Sequence, residues 1–546
     1  FEDSIQILAS SNTRILPSNE QPSMLHNFPF YLSLILVIVL LIMLANKIKV
    51  AYPILLVLGG LVIGFVPGVP HVQIDPELIF IIFLPPLLYE AAWATSWKEL
   101  WRWRRIISSF AFGIVFLTAF AVALISSRFI PGFTLALGFL LGGIVSPPDA
   151  VSAGAILKFV KVPKRLSSML EGESLLNDAS SLIVFRFALV AVGTGHFVIQ
   201  EAALSFVWTV TGGIGIGLLI AYAFFKTHKL LPTDVNMDIV LSLVAPYMMY
   251  IAAEEVNCSG VLSVVSGGLF LARRSHIFLS SSSRLRAVNV WGALSFILNG
   301  LVFMIIGLTL PEIVSGLEGV NLSTAIGYGI LITTVLVVGR LISAYGAVVF
   351  TLIAQNFITV AETRPGLKGP FLLGWAGMRG VVSLAAALSI PPYLADGTPF
   401  PQRNVILFIT FVVILLTLVV QGLTLPYFIR KFNLPDYDHH LTEDEEYHIL
   451  QEKLAKESMK HLQTHFAEEL ETKPFLKHLA TRWDDDHSEP QDKLFPEDYK
   501  TIYLDILNRQ RQWLRVWNKD HSINEDVIRK HLHRLDLEEE KILYLG

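Results

Sequence analysis

Glu171-Gly-Glu-Ser-Leu-Leu-Asn177-Asp178-Ala-Ser-Ser-Leu-Ile-Val-Phe185 sets carboxylates and an amide inside a segment otherwise suited to lipid. An ionisable group at bilayer depth costs roughly 2.5–3.5 kcal/mol even on insertion scales, so it is kept where it lines a pathway or a site. A carboxylate in that position can hold either a proton or a small cation. At about 100° per residue, Ser174 and Asp178 lie one turn apart on one helix face, with Glu171 near them. Glu173 and Asn177 form a second i,i+4 pair on another face. One face can then meet an ion while the other holds the helix in place.

The surrounding composition is that of a membrane protein. Of the 546 residues, 53% are hydrophobic and 16% charged, against roughly 25% charge in a soluble average, and the mean hydropathy is +0.56. The formal charge of −4 hides an uneven distribution, because the chain beyond Asn433 holds a large share of the charges. The one cysteine, Cys258, excludes an intrachain disulfide and a cysteine-built metal site, and reads as a small apolar filler. No Gly-x-x-x-x-Gly-Lys-[Ser/Thr] loop is visible, so ion gradients rather than ATP are the expected energy source. No cofactor and no nucleic-acid partner are expected.

Apolar runs suited to crossing a bilayer lie near 28–48, 53–67, 77–95, 106–128, 132–157, 167–194, 203–225, 238–255, 259–272, 289–310, 324–354, 369–390 and 405–430. The expected fold is therefore an all-α polytopic membrane protein of about thirteen transmembrane helices. Alternate loops carry the basic residues: Lys47 and Lys49; Lys98, Arg102, Arg104 and Arg105; Lys158, Lys161, Lys164 and Arg165; Lys226 and Lys229; Arg273, Arg274, Arg284 and Arg286; Arg364 and Lys368. The intervening loops offer only Arg128 and Arg403. This bias predicts an N-terminus outside and a C-terminus in the cytoplasm, which requires an odd number of crossings. Residues 1–27 are polar and lack the basic start and cleavage site of a signal peptide, and are expected to be extracytoplasmic. The sequons Asn257-Cys-Ser and Asn321-Leu-Ser fall on the predicted outer side.

Residues 433–546 are expected to form a cytoplasmic helical tail, regulatory or assembling rather than catalytic. Thr442-Glu-Asp-Glu445 and Ser522-Ile-Asn-Glu525 read as capping boxes, and Tyr447, Leu450, Leu454, Leu462, Phe466 and Leu470 recur at mostly helical spacing. Tyr503, Leu507, Trp513 and Trp517 mark another amphipathic helix, and 481–495 reads as a loop. His439, His440 and His461 lack metal-binding spacing.

Five places break the apolar pattern within the spans. Glu90 closes Phe83-Leu-Pro-Pro-Leu-Leu-Tyr-Glu90, where the double proline argues against a plain helix. Ser146-Pro147-Pro148-Asp149 removes two backbone donors, so a helix break is predicted there. Asp149 can then cap the next half-helix, ligate an ion, or do both. Asn177 and Asp178 are the third place. Gly374-Trp-Ala-Gly377-Met-Arg379-Gly380 is the fourth, where glycines permit unwinding and close approach. A buried arginine needs a carboxylate, and Glu173 is the expected partner of Arg379. Arg186, Asn299 and Arg340 complete the set. If spans 4–6 and 11–13 are inverted repeats, the two breaks occupy matching middle positions, where a binding site is expected.

These residues resemble a family. Glu-Gly-Glu-Ser-Leu-Leu-Asn177-Asp178, with Ser-Pro-Pro-Asp149-Ala, Leu-Pro-Pro-Leu-Leu-Tyr-Glu90 and Gly-Met-Arg379-Gly, is similar to the monovalent cation:proton antiporters of the NhaP and sodium/proton exchanger type, particularly their bacterial form, over roughly residues 30–430. The resemblance implies a homodimer, with a dimerisation part at about 28–95 and 238–310 and a moving core at about 106–194 and 324–430. It implies that Asp178 carries the transported Na⁺ or proton, with Asn177, Ser174, Asp149 and Glu90 forming or neighbouring the site, and that Glu173 and Arg379 pair. Asn177 before Asp178 goes with electroneutral exchange in that family. Many relatives have Thr where this chain has Pro148, so a hydroxyl ligand is lost here.

The expected activity is exchange of Na⁺ (or Li⁺ or K⁺) for H⁺ across a cell membrane, serving pH and sodium homeostasis. A cation channel would need a continuous polar lining along several spans, which is missing. An intramembrane aspartyl protease using Asp149 and Asp178 has no support beyond two carboxylates.

Overall fold

The polar interruptions and turn residues divide the apolar sequence into helices. The structure, a computed structural model, describes residues 24–67, 76–157, 160, 162–195, 199–317, 320–356, 366–394, 396–434, 443–472, 497–520 and 523–545. Residues 1–23, the capping residues Thr442 and Ser522, His439, His440 and the 481–495 loop lie outside them. Among the described residues the regular structure is helical, apart from an isolated bridge between Tyr393 and Pro399.

The first helices are α1 (Met24–Ile48), α2 (Tyr52–Gly64), α3 (Pro76–Ala94) and the short α4 (Trp97–Arg102). Then come α5 (Arg104–Phe129), the half-helices α6 (Leu135–Val145) and α7 (Ala150–Leu157), and α8 (Lys164–Thr194). Next are α9 (Ile199–Leu230), α10 (Val235–Glu255), α11 (Gly260–Phe278), α12 (Ser281–Leu308) and α13 (Leu310–Ser315). The series closes with α14 (Leu322–Ala354), the half-helices α15 (Lys368–Trp375) and α16 (Val381–Leu388), and α17 (Arg403–Phe432).

Eight helices among the described residues are long and apolar enough to cross a membrane, and three shorter ones are apolar. The chain is a multi-pass membrane protein. Burial separates inner from outer helices. The most apolar windows of α8 and α17 are 61% and 78% buried, whereas those of α9 and α14 are 22% and 17% buried and offer their apolar side chains to lipid. The polar-bearing α8 thus sits inside, packed against α6. Gly195, at φ 70°, ends it with a left-handed cap.

One expectation about helix integrity is corrected. Pro85 and Pro86 lie within the continuous helix α3. Proline is tolerated in a membrane helix where neighbouring groups and local adjustment satisfy the freed backbone.

The C-terminal helices are α18 (Glu443–His465), α19 (Ala467–Thr472), α20 (Glu497–Trp517) and α21 (Glu525–Leu545). Leu450, Leu462, Ile506, Leu514, Val527 and Ile528 form a core of their own. Helix α21 starts at Glu525, behind Asn524, whose side chain accepts the Asp526 amide at 2.9 Å. It docks on the ends of three helices. Arg529 donates to the Ala94 and Thr95 carbonyls at 2.6 and 3.0 Å, and Lys164 pairs with Asp526. Arg284 donates to Asp536 at 2.8 Å, and Ser281 donates to Glu539.

Candidate ion-binding site

Two interrupted helices meet at the centre of the site. Helix α6 stops at Val145 and α7 starts at Ala150, because Pro147 and Pro148 supply no amide hydrogen to continue the ladder. Helix α15 stops at Trp375 and α16 starts at Val381, with Gly377 and Gly380 in the gap. The gaps are joined directly, since the Asp149 amide donates to the Met378 carbonyl at 2.7 Å. Gly380 permits this approach: a β-carbon there would stand 2.0 Å from Asp149 Oδ2.

Asp149 is committed to the backbone. Its Oδ1 accepts the Val151 amide at 3.0 Å, and Oδ2 accepts the Ser152 amide at 3.3 Å and the Ser152 hydroxyl at 2.5 Å. These are the bonds of a helix N-cap, where a negative charge also meets the positive end of the helix dipole. The opposite device serves the other half-helix. Arg379, 2% exposed, donates from Nε to the Val145 carbonyl at 2.7 Å and from Nη1 to the Gly377 carbonyl. Its backbone amide donates to Thr417 Oγ1 at 3.1 Å, within the π-turn Thr417–Gln421 of α17.

The expected pairing of Glu173 with Arg379 is corrected by this geometry. Glu173 is held by Arg340 of α14, with Nη1–Oε1 at 2.6 Å and Nη2–Oε2 at 2.8 Å. Both residues are at most 3% exposed. A planar guanidinium fits a carboxylate in this two-bond fork. Gly377 clears the way, because a β-carbon there would lie 2.4 Å from Arg340 Cδ. Arg379 is turned instead to the Val145 carbonyl at the end of α6 and to the Gly377 carbonyl of its own break. Arg340 had one signal in the sequence, a charge within a long apolar run, but nothing local named its partner.

Asn177 and Asp178 face the crossing from α8, and both are buried. Asn177 Nδ2 donates to the Pro148 carbonyl at 3.1 Å, which satisfies a group released by the proline break. Its Oδ1 is buried without a hydrogen-bond partner among the described residues. Asp178 is 7% exposed and lies within electrostatic range of Asp149. Unlike Asp149, its carboxylate has no hydrogen bond among the described residues. Tyr52, on α2, stands within electrostatic range of both Asp149 and Glu90, so Glu90 borders the same region. Ser174 is half-buried one turn before Asp178, whereas Glu171 is exposed and accepts a hydrogen bond from Ser167 at 2.8 Å. Arg186 is paired with Glu254 of α10, and Asn299 is buried in α12.

Such a site offers oxygen atoms and one uncommitted carboxylate, the donor set of a hard cation and equally of a proton. The chain matches the family described as "Sodium/hydrogen exchanger, transmembrane" over residues 33–431. It is 36% identical over 408 residues to the sodium, potassium, lithium and rubidium/H(+) antiporter of Bacillus subtilis, which covers 72% of this chain. The chain spans only 60% of that relative and 57% of its counterpart in Bacillus pumilus. An uncharacterized Na(+)/H(+) exchanger of Mycobacterium tuberculosis is 31% identical over 94% of this chain and 95% of its own length. The solved sodium proton antiporter MjNhaP1 from Methanocaldococcus jannaschii shares the fold, with a TM-score of 0.58 at 18% identity over 74% of this chain and 98% of that one. The chain belongs to the sodium/hydrogen exchanger family of membrane transporters.

Proposed function

We propose that this chain exchanges Na⁺, Li⁺ or K⁺ for H⁺, one for one, by competition of the two for Asp178. The observation that carries the reading is the contrast at the crossing: the Asp149 carboxylate accepts two backbone amides and a hydroxyl, while Asp178, more deeply buried, is free to take a guest. The Bacillus relatives, named as sodium, potassium, lithium and rubidium/H(+) antiporters, support the choice of cargo.

In this cycle Asp178 loses its proton when it faces one aqueous side and takes a cation. In this reading the Asn177 Oδ1 atom, buried without a hydrogen-bond partner among the described residues, and the Ser174 hydroxyl share it. Asp149 and Glu90 add negative potential nearby. Either guest neutralises the carboxylate and so lowers the cost of moving it past the apolar barrier. The empty charged form is held back by that cost, which couples the two flows. Because Na⁺ and H⁺ carry equal charge, one-for-one exchange is electroneutral.

The reading places thirteen crossings in the membrane, with α6–α7 and α15–α16 counted as one broken crossing each, the N-terminus outside and the C-terminus in the cytoplasm. The core, about 106–194 and 324–430, moves against a scaffold of about 28–95 and 238–310, through which two copies pair in the cell membrane. Helices α18 to α21 form a cytoplasmic regulatory part. Their contacts support that role, because α21 holds Lys164 of the core together with Arg284 and the end of α3 in the scaffold.

The test is Asp178→Asn in proteoliposomes containing a pH dye, challenged with Na⁺, Li⁺ and K⁺ with the membrane potential clamped. The variant should assemble normally and give no cation-driven proton movement. Wild-type exchange by this variant rejects the assignment.

A further inference from the structure

The outer end of α8 carries a charged pair that the exchange cycle leaves unused. A pocket of about 220 Å³ lies there, lined by Phe80, Leu182, Phe185, Thr209, Tyr250 and Ser389 among others. A water's share of liquid volume is about 30 Å³, so several waters fit. Leu182 follows Asp178 by one helical turn, so the pocket wall begins one turn along α8 from that carboxylate. At the pocket wall Arg186 of α8 ion-pairs with Glu254 of α10. The other Glu254 oxygen accepts the Gly260 amide at 3.1 Å, which fixes the carboxylate to the turn between α10 and α11. The Arg186 and Glu254 side chains are 42% and 29% exposed, so the pair borders open space.

Two ion pairs of α8, one buried and one half-exposed, differ in what they join. Glu173 meets Arg340 of α14, and both helices belong to the proposed core. Arg186 meets Glu254 on the proposed scaffold, so this pair crosses the boundary that must slip during exchange. We propose that Glu254 masks the Arg186 charge while the site faces outward, and thereby sets the affinity with which Asp178 takes a monovalent cation from the outer side. This rests on the alternating-access reading above. Arg186 lies eight residues beyond Asp178, about 12 Å of helix rise. An unmasked unit charge at about 12 Å, with an effective dielectric of about 20, weakens cation binding about tenfold. When the core moves, Arg186 travels with Asp178 and Glu254 stays behind. Removing Glu254 therefore matters on one side of the membrane only.

The experiment measures the KM for Na⁺ in right-side-out and everted membrane vesicles bearing the full chain. Glu254→Gln should raise the outer-side KM about tenfold and leave the inner-side KM unchanged. Adding Arg186→Gln should return the outer-side value toward wild type, an outcome that a merely structural pair would not give. Equal shifts on both sides, an unchanged outer KM, or a double variant as weak as the single one overturns the proposal. If Glu254→Gln fails to reach the membrane, the swapped chain R186E/E254R is measured instead. It should keep the wild-type outer KM, and a raised value overturns the proposal. Exchange surviving in Asp178→Asn would sink the parent reading. A dead Asp178→Asn beside an outer KM insensitive to Glu254 sinks this inference alone.

Discussion

At 146–149 a helix is interrupted by Pro147 and Pro148, and at 376–380 another is interrupted around Gly377 and Gly380; the two breaks touch, yet they are built on opposite principles. The proline break removes backbone donors, leaves the Pro148 carbonyl to be claimed by Asn177, and caps the following half-helix with the carboxylate of Asp149. The glycine break keeps its amides and removes bulk. Arg340 passes beside Gly377 and Asp149 beside Gly380. Its own charge, Arg379, serves the first break by taking the Val145 carbonyl, while the Asp149 amide serves the second by donating to Met378. Each break therefore satisfies the backbone ends of the other. The crossing, not either broken helix, is the unit that presents Asp178.

The comparison can be broken at three points. Arg340→Met should have the largest effect, because it leaves Glu173 buried and unpaired, a situation costing about 3–5 kcal/mol. The expected result is a steep fall in thermal stability in detergent, partly recovered by adding Glu173→Gln; Arg379→Met should show no such recovery. If Glu173→Gln rescues Arg379→Met instead, the ion pair assigned here is wrong. Gly380→Val comes next. Its branched side chain collides with Asp149 Oδ2, and overpacking of this kind costs about 1–3 kcal/mol. Exchange should be lost more completely than stability, because the breaks are driven apart at the site. Near-normal exchange would show that the contact is dispensable. The smallest effect belongs to Asp149→Ala, which removes an N-cap at a cost of about 0.5–2 kcal/mol. Asp149→Asn, which can still accept the Val151 amide, should recover most of that stability. If the Asn variant also recovers exchange, Asp149 acts as a cap alone; if exchange stays low, its charge is needed beside Asp178.

The proline break was readable because its cause is local. Two adjacent residues without amide hydrogens weaken the helical ladder at that point whatever surrounds them, and the acidic residue after them can cap the next half-helix. The same rule misread Pro85-Pro86, where helix α3 runs on without a break. Propensity states a local cost, and packing decides whether that cost is met. The partner of Glu173 was misassigned for a related reason. Arg340 and Arg379 are both arginines in apolar runs, and the choice between them depends on where two glycines let a side chain pass. The Arg186–Glu254 pair was half visible: the arginine stood out within its span, but its carboxylate lies on a separate helix.

Composition and the order of apolar runs by themselves determined a helical chain in lipid, the orientation expected of it, and the few polar residues whose burial demands a purpose. Those conclusions follow from the cost of putting charge and unpaired backbone into hydrocarbon, a cost that each segment carries alone. The tertiary structure alone decided which arginine neutralises Glu173, which carbonyl Asn177 holds, and that Asp149 is occupied while Asp178 is not. These are distances between segments far apart in the chain, and hydrogen bonds and ion pairs act only over a few ångströms.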